Sequence, residues 1–491
     1  MDNGVIPPEL LLVLICPIHK GGSKAVPKNY RPVALLCVLS KVLEKAVFQQ
    51  VIKYMEMNII IHPSHHGFRS LHSTCTALLE MHDRWLCAVG RGEAVATVLV
   101  DLSAAFDVVD HSVLLDKLSI YGLSSNALSF MQSYLSGRQQ VVLVDGCMSK
   151  PLELVAGVPQ GSILGPLLYV LYTNDLPDAL NYLSQQPGNQ GLESIVCYAD
   201  DSTLSLSHRD PIVLNDMIDQ KYQIISQYMA NNRLKLNSSK THLMVLNTSG
   251  KHRRYGHQNI KLDTGNEVIL PSECEKLLGV HVSQNLKWDQ HIRLHIHSVA
   301  QVLTARLNAL QKLSQYACFK TRKMVANGIF LSSLIYTIQL WGGSNQSLIS
   351  CLQVIQNKAA RFVAKQGPRT PIRTLLHQCG WLSVKQLAIY HNCLTVYKIR
   401  QHSKPVYFKE RFGGVMNHEI EDPISSRTRL NSTGGIRLQM NRNQSDLEKQ
   451  SFVHNSVKSW NSLPIEIRQC TSVPSFKRSL REWILQNVSI Q

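Results

Sequence analysis

The stretch Ile195–Leu206 constrains this chain more than any other. Apolar and β-favouring residues flank two adjacent carboxylates, Asp200 and Asp201, the pattern of two short strands joined by a tight turn with both acids at its tip. Side-by-side carboxylates repel unless something neutralises them. Mg²⁺ does so, since one or two protein carboxylates hold it while water and substrate phosphates complete its shell. Asp also tolerates ordinary turns, so the pair alone does not separate a cation site from a solvated hairpin.

A second stretch narrows the choice. Val95–Val100 is a continuous apolar run ending in Asp101, as expected of a central strand buried on both faces. A carboxylate at the end of such a strand is costly without a partner, and a cation supplies one. Phe106 follows five residues later, near enough to wall a nucleotide sugar if Asp101 holds the metal; core packing is the alternative role for its ring. Further on, Gly157-Val158-Pro159-Gln160-Gly161-Ser162 combines glycines that let backbone approach a ligand with a serine suited to cap a helix.

Charge divides the chain in two. Residues 1–280 carry 23 Lys and Arg against 25 Asp and Glu, whereas residues 281–491 carry 28 against 9, and these halves make up the net charge of +17. From Gln290 to Lys409 there are sixteen basic residues and no acid, which suits a polyanion such as nucleic acid better than a solvated helix face of mixed sign. The 12 cysteines are scattered without a CxxC, which argues against zinc ribbons and redox motifs and for an intracellular, reduced setting, nuclear or cytoplasmic, with no targeting signal. His377, Cys379, His391 and Cys393 match no common zinc spacing. The apolar run Leu10–Cys16 is short, closed by Pro17, and reads as a buried strand rather than a membrane span.

The remaining elements follow from periodicity and caps. Helices are expected over Leu35–Met57, Ser73–Val89, from the Asp110 cap to Tyr121, over Asn126–Leu135, from Ser162 to Asn174, and over Leu214–Asn231. A hairpin turning at Asp145-Gly146 returns to about Val155, and strands are expected at His242–Leu246 and on either side of Leu278-Gly279. Lys20, Lys24, Lys28, Arg31 and Arg69 fall on loops ahead of helices, where side chains and free helix N–H groups can both meet phosphate.

In order, Asn29-Tyr30-Arg31-Pro32, His66-Gly67-Phe68-Arg69, Val98–Asp107, Gly157–Ser162, Tyr198-Ala199-Asp200-Asp201, Asn237–Thr241 and Leu278-Gly279-Val280 resemble the reverse transcriptases of non-LTR, LINE-type, Jockey-like retrotransposons. Leu352–Arg361, Trp381–Val384 and Trp460–Pro464 resemble the region downstream of them. The resemblance implies an α+β, right-hand polymerase fold with fingers, an antiparallel-sheet palm and a helical thumb. Fingers and palm would occupy residues 1–285, a basic thumb 286–365, and a basic, mostly helical region of unknown role 366–491. It implies an RNA-directed DNA polymerase using two Mg²⁺ ions, with Mn²⁺ as a substitute, an RNA template, a DNA primer and deoxynucleoside triphosphates. By the same likeness Asp101, Asp200 and Asp201 are the catalytic metal ligands, Phe106 the sugar gate, and Gln160 and Gly161 the loop touching nucleotide and template. Lys240 lies near the leaving phosphates, Arg69 near the triphosphate, and Arg31 at template or nucleotide. Full-length relatives carry an endonuclease ahead of the polymerase. Its expected absence here would leave the priming nick to an endonuclease acting in trans, and the alternative is a truncated, catalytically inactive nucleic-acid-binding remnant.

Overall fold

The computed structural model describes residues 5–182, 191–247, 259–265, 267–288, 291, 316–412, 438 and 445–489. The sequence also suggests a polar loop rich in Asn, Gln and Gly over about residues 181–193; residues 183–190 of it, and the basic segment 292–315, lie outside the described residues.

The chain is α+β. Strand β1 (Leu12–His19) pairs antiparallel with β2 (Tyr30–Leu35) and parallel with β4 (Gln139–Val144). The expected strand therefore runs past Pro17 and is only partly buried. Pro17 is tolerated because β4 contacts only Leu12–Ile15, leaving the proline on an edge where its missing N–H breaks no ladder bond. Leu35 belongs to β2, so the first helix, α1 (Val38–Met57), starts later than its apolar period suggests. The hairpin after β4 returns as two fragments, β5 (Cys147–Met148) and β6 (Leu152–Glu153), rather than one strand.

Helix α2 (Thr74–Gly90) opens on a capping box in which Ser73 and Thr76 each satisfy the other's backbone N–H. It leads to β3 (Ala94–Val100), the centre of a second sheet. That sheet also contains β7 (Glu193–Tyr198), β8 (Asp201–His208), β9 (His242–Leu246) and β12 (Pro271–Ser272), in the order β12-β9-β3-β8-β7, with only the β12–β9 pair parallel. Side chains alternate across it. Ala96, Val98, Val100, Leu204, Leu206, Leu243 and Val245 face one core; Val95, Val196, Met244 and Leu246 face another. Each fully buried Val or Leu contributes about 1.5–3 kcal/mol, so a one-residue slip of β3 would forfeit both cores at once.

The first core is closed by α3 (His111–Ile120), α4 (Ser125–Leu135), α5 (Leu164–Tyr172), α6 (Leu176–Tyr182) and α7 (Pro211–Asn231). Asp110 and Asp210 cap α3 and α7 by accepting from Val113 N and Ile212 N at 3.0 and 2.8 Å. Ser162 accepts from Gly165 N at 2.9 Å and Glu44 from the N–H groups of Ile163 and Leu164, so a buried carboxylate sits at the positive end of α5.

The second core lies on the other face and is closed by α2 and by the carboxyl-terminal helices Gln346–Ala364, Val384–His402, Phe452–Asn461 and Val473–Asn487. Trp85 of α2 donates to Ser205 Oγ at 2.9 Å, and fully buried Asp83 accepts from Tyr407 Oη at 2.6 Å and Arg411 Nε at 2.7 Å. Two further short hairpins, β10–β11 (Leu262–Asp263 and Val268–Ile269) and β13–β14 (Cys274–Leu277 and Val280–Ser283), flank the sheet. All 12 cysteines are free thiols. Among the described residues no helix is long and apolar enough to cross a membrane.

The outer edge of β7 is covered by residues 64–66, where His66 N donates to Cys197 O at 2.8 Å and Cys197 N to Ser64 O at 2.9 Å. Gly67 then passes so close to the β7–β8 turn that a Cβ there would lie 2.6 Å from Ala199 N. Gly67→Ala should therefore destabilise the protein by about 1–3 kcal/mol. Chemical denaturation measures this, and an unchanged midpoint would mean that the turn yields freely.

Burial also holds the His65 and His82 imidazoles neutral, pushing the first down to about 3 and the second to about 4. In the unfolded chain both titrate near 6.5. The unfolded state therefore takes up protons first, and stability that is complete above about pH 6.5 drains away as pH falls toward 4. Thermal melts should shift down over this window. His82→Phe, which keeps a ring against Trp288 at the site of the 5.0 Å contact, should make the shift shallower. An equally steep pH dependence would remove His82 as a contributor.

Candidate active site

The hairpin β7–β8 closes through a two-residue loop, with Tyr198 opposite Asp201. Ala199 adopts φ 56°, the left-handed value such a loop demands at its first position, and without glycine there the conformation costs about 1–3 kcal/mol. The Gly67 loop supports it from the side.

Asp101 ends β3 beside this turn. Asn237 N donates to Asp101 O at 3.0 Å and Asn237 Nδ2 to Asp101 Oδ2 at 3.2 Å, while Lys240 Nζ stands 3.7 Å from the same carboxylate oxygen. Asp201 feels both of the other acids: desolvation at the turn, then the charges of Asp200 and Asp101, raise its carboxyl to about 6. Such a cluster of negative charge, only partly offset by Lys240, suits a divalent cation. Among the described residues, however, no three Asp, Glu, His or Cys side chains are gathered into a ready-made metal cage.

A cavity of about 580 Å³ opens in front of the pair. Asp101, Asp200, Arg31, Phe106, Gln160, Gly161 and Lys240 all line it. Seven of the nine residues singled out in the sequence thus share one cavity, and Asp201 adjoins through the turn. Arg69 does not reach it. Its guanidinium is turned inward, donating to His62 O and His65 O at 3.0 Å each and lying 3.7 Å from Glu56, and burial lowers its pKa to about 10. Its visible work is to brace the segment that covers β7.

The cavity wall depends on three close approaches. Gly161, at φ +116°, leaves room for Ala34 O, which a Cβ would meet at 2.8 Å, and Ala34 N donates to Gln160 O at 2.8 Å. Gly157, at φ +86°, lies against the Asp107 backbone, which a Cβ would meet at 2.6 Å, and its carbonyl is 2.8 Å from His111 Nε2. Gln160 Nε2 donates to Asp107 Oδ1 at 2.7 Å. The Phe106 ring packs on Tyr169 with centroids 4.6 Å apart. Tyr169 is buried, and its hydroxyl is pushed well above the ordinary range by burial and then by the nearby Asp200 charge.

Asp107, Asn237 and Tyr169 are the residues that sequence reasoning passed over. Asn237 had a signal, since it precedes the Lys240 turn in a quoted motif. Tyr169 had none, because it reads as one more apolar position of α5.

Comparison with known proteins bears on the same residues. The family model described as reverse transcriptase (RNA-dependent DNA polymerase) matches residues 18–282. The probable RNA-directed DNA polymerase from transposon X-element of Drosophila melanogaster is 29% identical over 364 residues, covering 73% of this chain and 38% of that protein. The RNA-directed DNA polymerase from mobile element jockey of Drosophila funebris is 27% identical over 343 residues, 68% of this chain and 36% of that protein. The chain thus spans well under half the length of these relatives. Among solved structures, telomerase from Candida albicans aligns with a TM-score of 0.40 and 13% identity, over 77% of this chain and 64% of that one. A likeness that distant adds nothing to the family match, which spans more than half of the chain and every residue of the cavity. The chain belongs to the reverse transcriptase family.

Proposed function

We propose that this chain is an RNA-directed DNA polymerase of a non-LTR retrotransposon, extending a DNA primer on an RNA template with deoxynucleoside triphosphates. The observation that carries the reading is the meeting of Asp101 and Asp200 in one cavity with Phe106, Gln160, Gly161, Arg31 and Lys240, beside the charge-coupled Asp201. Fingers and palm are assigned to residues 1–285, a thumb to 286–365 and a further basic region to 366–491. An endonuclease supplying the priming nick in trans would be a further partner, and the setting would be intracellular, nuclear or cytoplasmic.

Asp101, Asp200 and Asp201 would hold two Mg²⁺ ions, or Mn²⁺ in their place. When bound, these would supply Lewis-acid activation of the primer 3′-hydroxyl and charge neutralisation at the departing pyrophosphate. The other residues orient and select. Lys240, two-thirds exposed and only 3.7 Å from Asp101, is a mobile cation that can turn from the carboxylate to a phosphate. Lys20 and Arg31 bring positive charge to the same cavity from the strand β1–β2 side. The Phe106 ring, backed by Tyr169, cannot easily retreat, so a ribose 2′-hydroxyl would meet a fixed obstacle. Gln160, tied to Asp107, presents a positioned amide toward nucleotide and template.

Asp200→Asn should abolish primer extension on a primed homopolymer RNA with Mg²⁺, a loss larger than the roughly 100-fold of an indirect perturbation. Near-normal extension by a folded variant would sink the assignment. Salt-sensitive RNA binding by the wild type without incorporation would favour the inactive remnant instead. Phe106→Val should open the gate, relieving a clash of about 1–3 kcal/mol and raising incorporation of ribonucleotides relative to deoxynucleotides. An unchanged ratio in single-nucleotide extension assays would move sugar selection to another residue.

A further inference from the structure

A second cavity, of about 410 Å³, lies in the carboxyl-terminal helices, away from the polymerase cavity. Tyr397, Arg400 and Gln401 of the helix Val384–His402 form one wall, and Arg468 with the turn 469–471 forms the other. Among the described residues, the lining holds two arginines and no carboxylate. Its volume falls within the ~300–1,000 Å³ of pockets that hold a small ligand, enough for one nucleotide unit of a strand.

The walls are fixed by their own bonds. Tyr397 Oη donates to Cys470 O at 2.8 Å, Gln401 Nε2 donates to Tyr397 Oη at 2.9 Å, and the Tyr397 ring stacks on Phe476 at 4.1 Å. Arg468 is buried and anchored through Nε to Leu463 O at 3.1 Å. A site held this way is formed before anything binds.

Arg400 lacks the carboxylate partner that several other arginines of the chain have. Arg84 pairs with Glu80 at 2.9 Å, Arg91 with Glu93 at 2.8 Å and Arg411 with Asp83 at 2.7 Å. Among the described residues no carboxylate lies within ion-pair distance of Arg400, whose guanidinium instead lies over the Trp460 ring at 5.4 Å. Burial lowers its pKa, an effect that the neighbouring Tyr397 phenol opposes only in part. The acid-free tract from Gln290 to Lys409 means that nothing on its own stretch of sequence competes for it. A desolvated guanidinium facing a preformed hollow matches a phosphate group, which arginine binds through two parallel N–H donors.

We propose that this cavity is a phosphate subsite that holds the backbone of a single-stranded RNA segment outside the polymerase cavity, with Arg400 as its principal contact and Arg468 beside it. The phosphate chemistry stands on the cavity alone, and the identity of the strand as RNA rests on the polymerase reading.

The test uses the full chain and a fluorescein-labelled oligouridylate, with affinity followed by anisotropy across a salt series. Arg400→Gln should weaken binding severalfold and make the slope of log Kobs against log salt shallower by about 0.7, the value of one phosphate contact on a single strand. Arg400→Lys should keep the slope and lose part of the affinity. Extension of a short primed template at saturating concentration should be unchanged in both variants, which separates this site from the polymerase centre. An unchanged slope and affinity in a folded Arg400→Gln protein would overturn the proposal.

If Arg400→Gln melts early, phenylglyoxal labelling of the wild type, read by mass spectrometry, replaces it. The oligouridylate should slow labelling of Arg400. Equal labelling with and without RNA overturns the proposal. So does protection by inorganic phosphate but not by RNA, which would make the cavity a free-anion site.

Discussion

The burial of β3 on both faces is the constraint from which the rest follows. Its alternate residues belong to two different cores, so its register cannot shift without exposing apolar surface on both sides. That fixed register sets where the strand ends, and therefore where Asp101 stands. The β7–β8 turn is aligned against it by the seven-residue ladder between β3 and β8, which brings Asp200 and Asp201 to the same end of the sheet. The acids are held by hydrophobic packing rather than by one another, as they must be if their mutual repulsion is to await a cation.

Around this fixed point the cavity is shaped by backbone approaching backbone. Gly157 and Gly161 bring the Gln160 loop against Asp107 and Ala34, and Gly67 brings the covering segment against Ala199. A side chain at any of the three would push a wall of the site by a substantial fraction of an ångström. Arg69 belongs to this scaffolding. Its guanidinium donates to two carbonyls and lies beside Glu56, and these contacts brace the edge of β7.

Helix α2 joins the central sheet to the described carboxyl-terminal helices. One side packs on the sheet through Trp85 and Ser205, and Asp83 is buried against Tyr407 and Arg411 of the far end of the chain. A buried carboxylate stripped of these partners would be strongly destabilising. The described carboxyl-terminal helices are thus part of the packed body, and their basic residues are carried on the same frame as the central sheet.

Much of this was legible in the sequence. The apolar run into Asp101, the paired acids between two β-favouring segments, and the glycines around Gln160 are local patterns whose chemistry is written in residue type and spacing. The Asp110 cap and the strand His242–Leu246 were equally local. What sequence could not carry was any feature decided by contact between distant segments. Pro17 stays in a strand because β4 happens to stop short of it. Arg69 turns inward because Glu56 and two carbonyls lie beneath it, and Asp107 and Tyr169 join the site through Gln160 and Phe106. Likewise the sequence determined that the second half is basic, but only tertiary packing brought Arg400 and Arg468, 68 positions apart, to one cavity whose described lining holds no carboxylate. Charge and periodicity are properties of a segment, whereas the partner that neutralises a charge is a property of the fold.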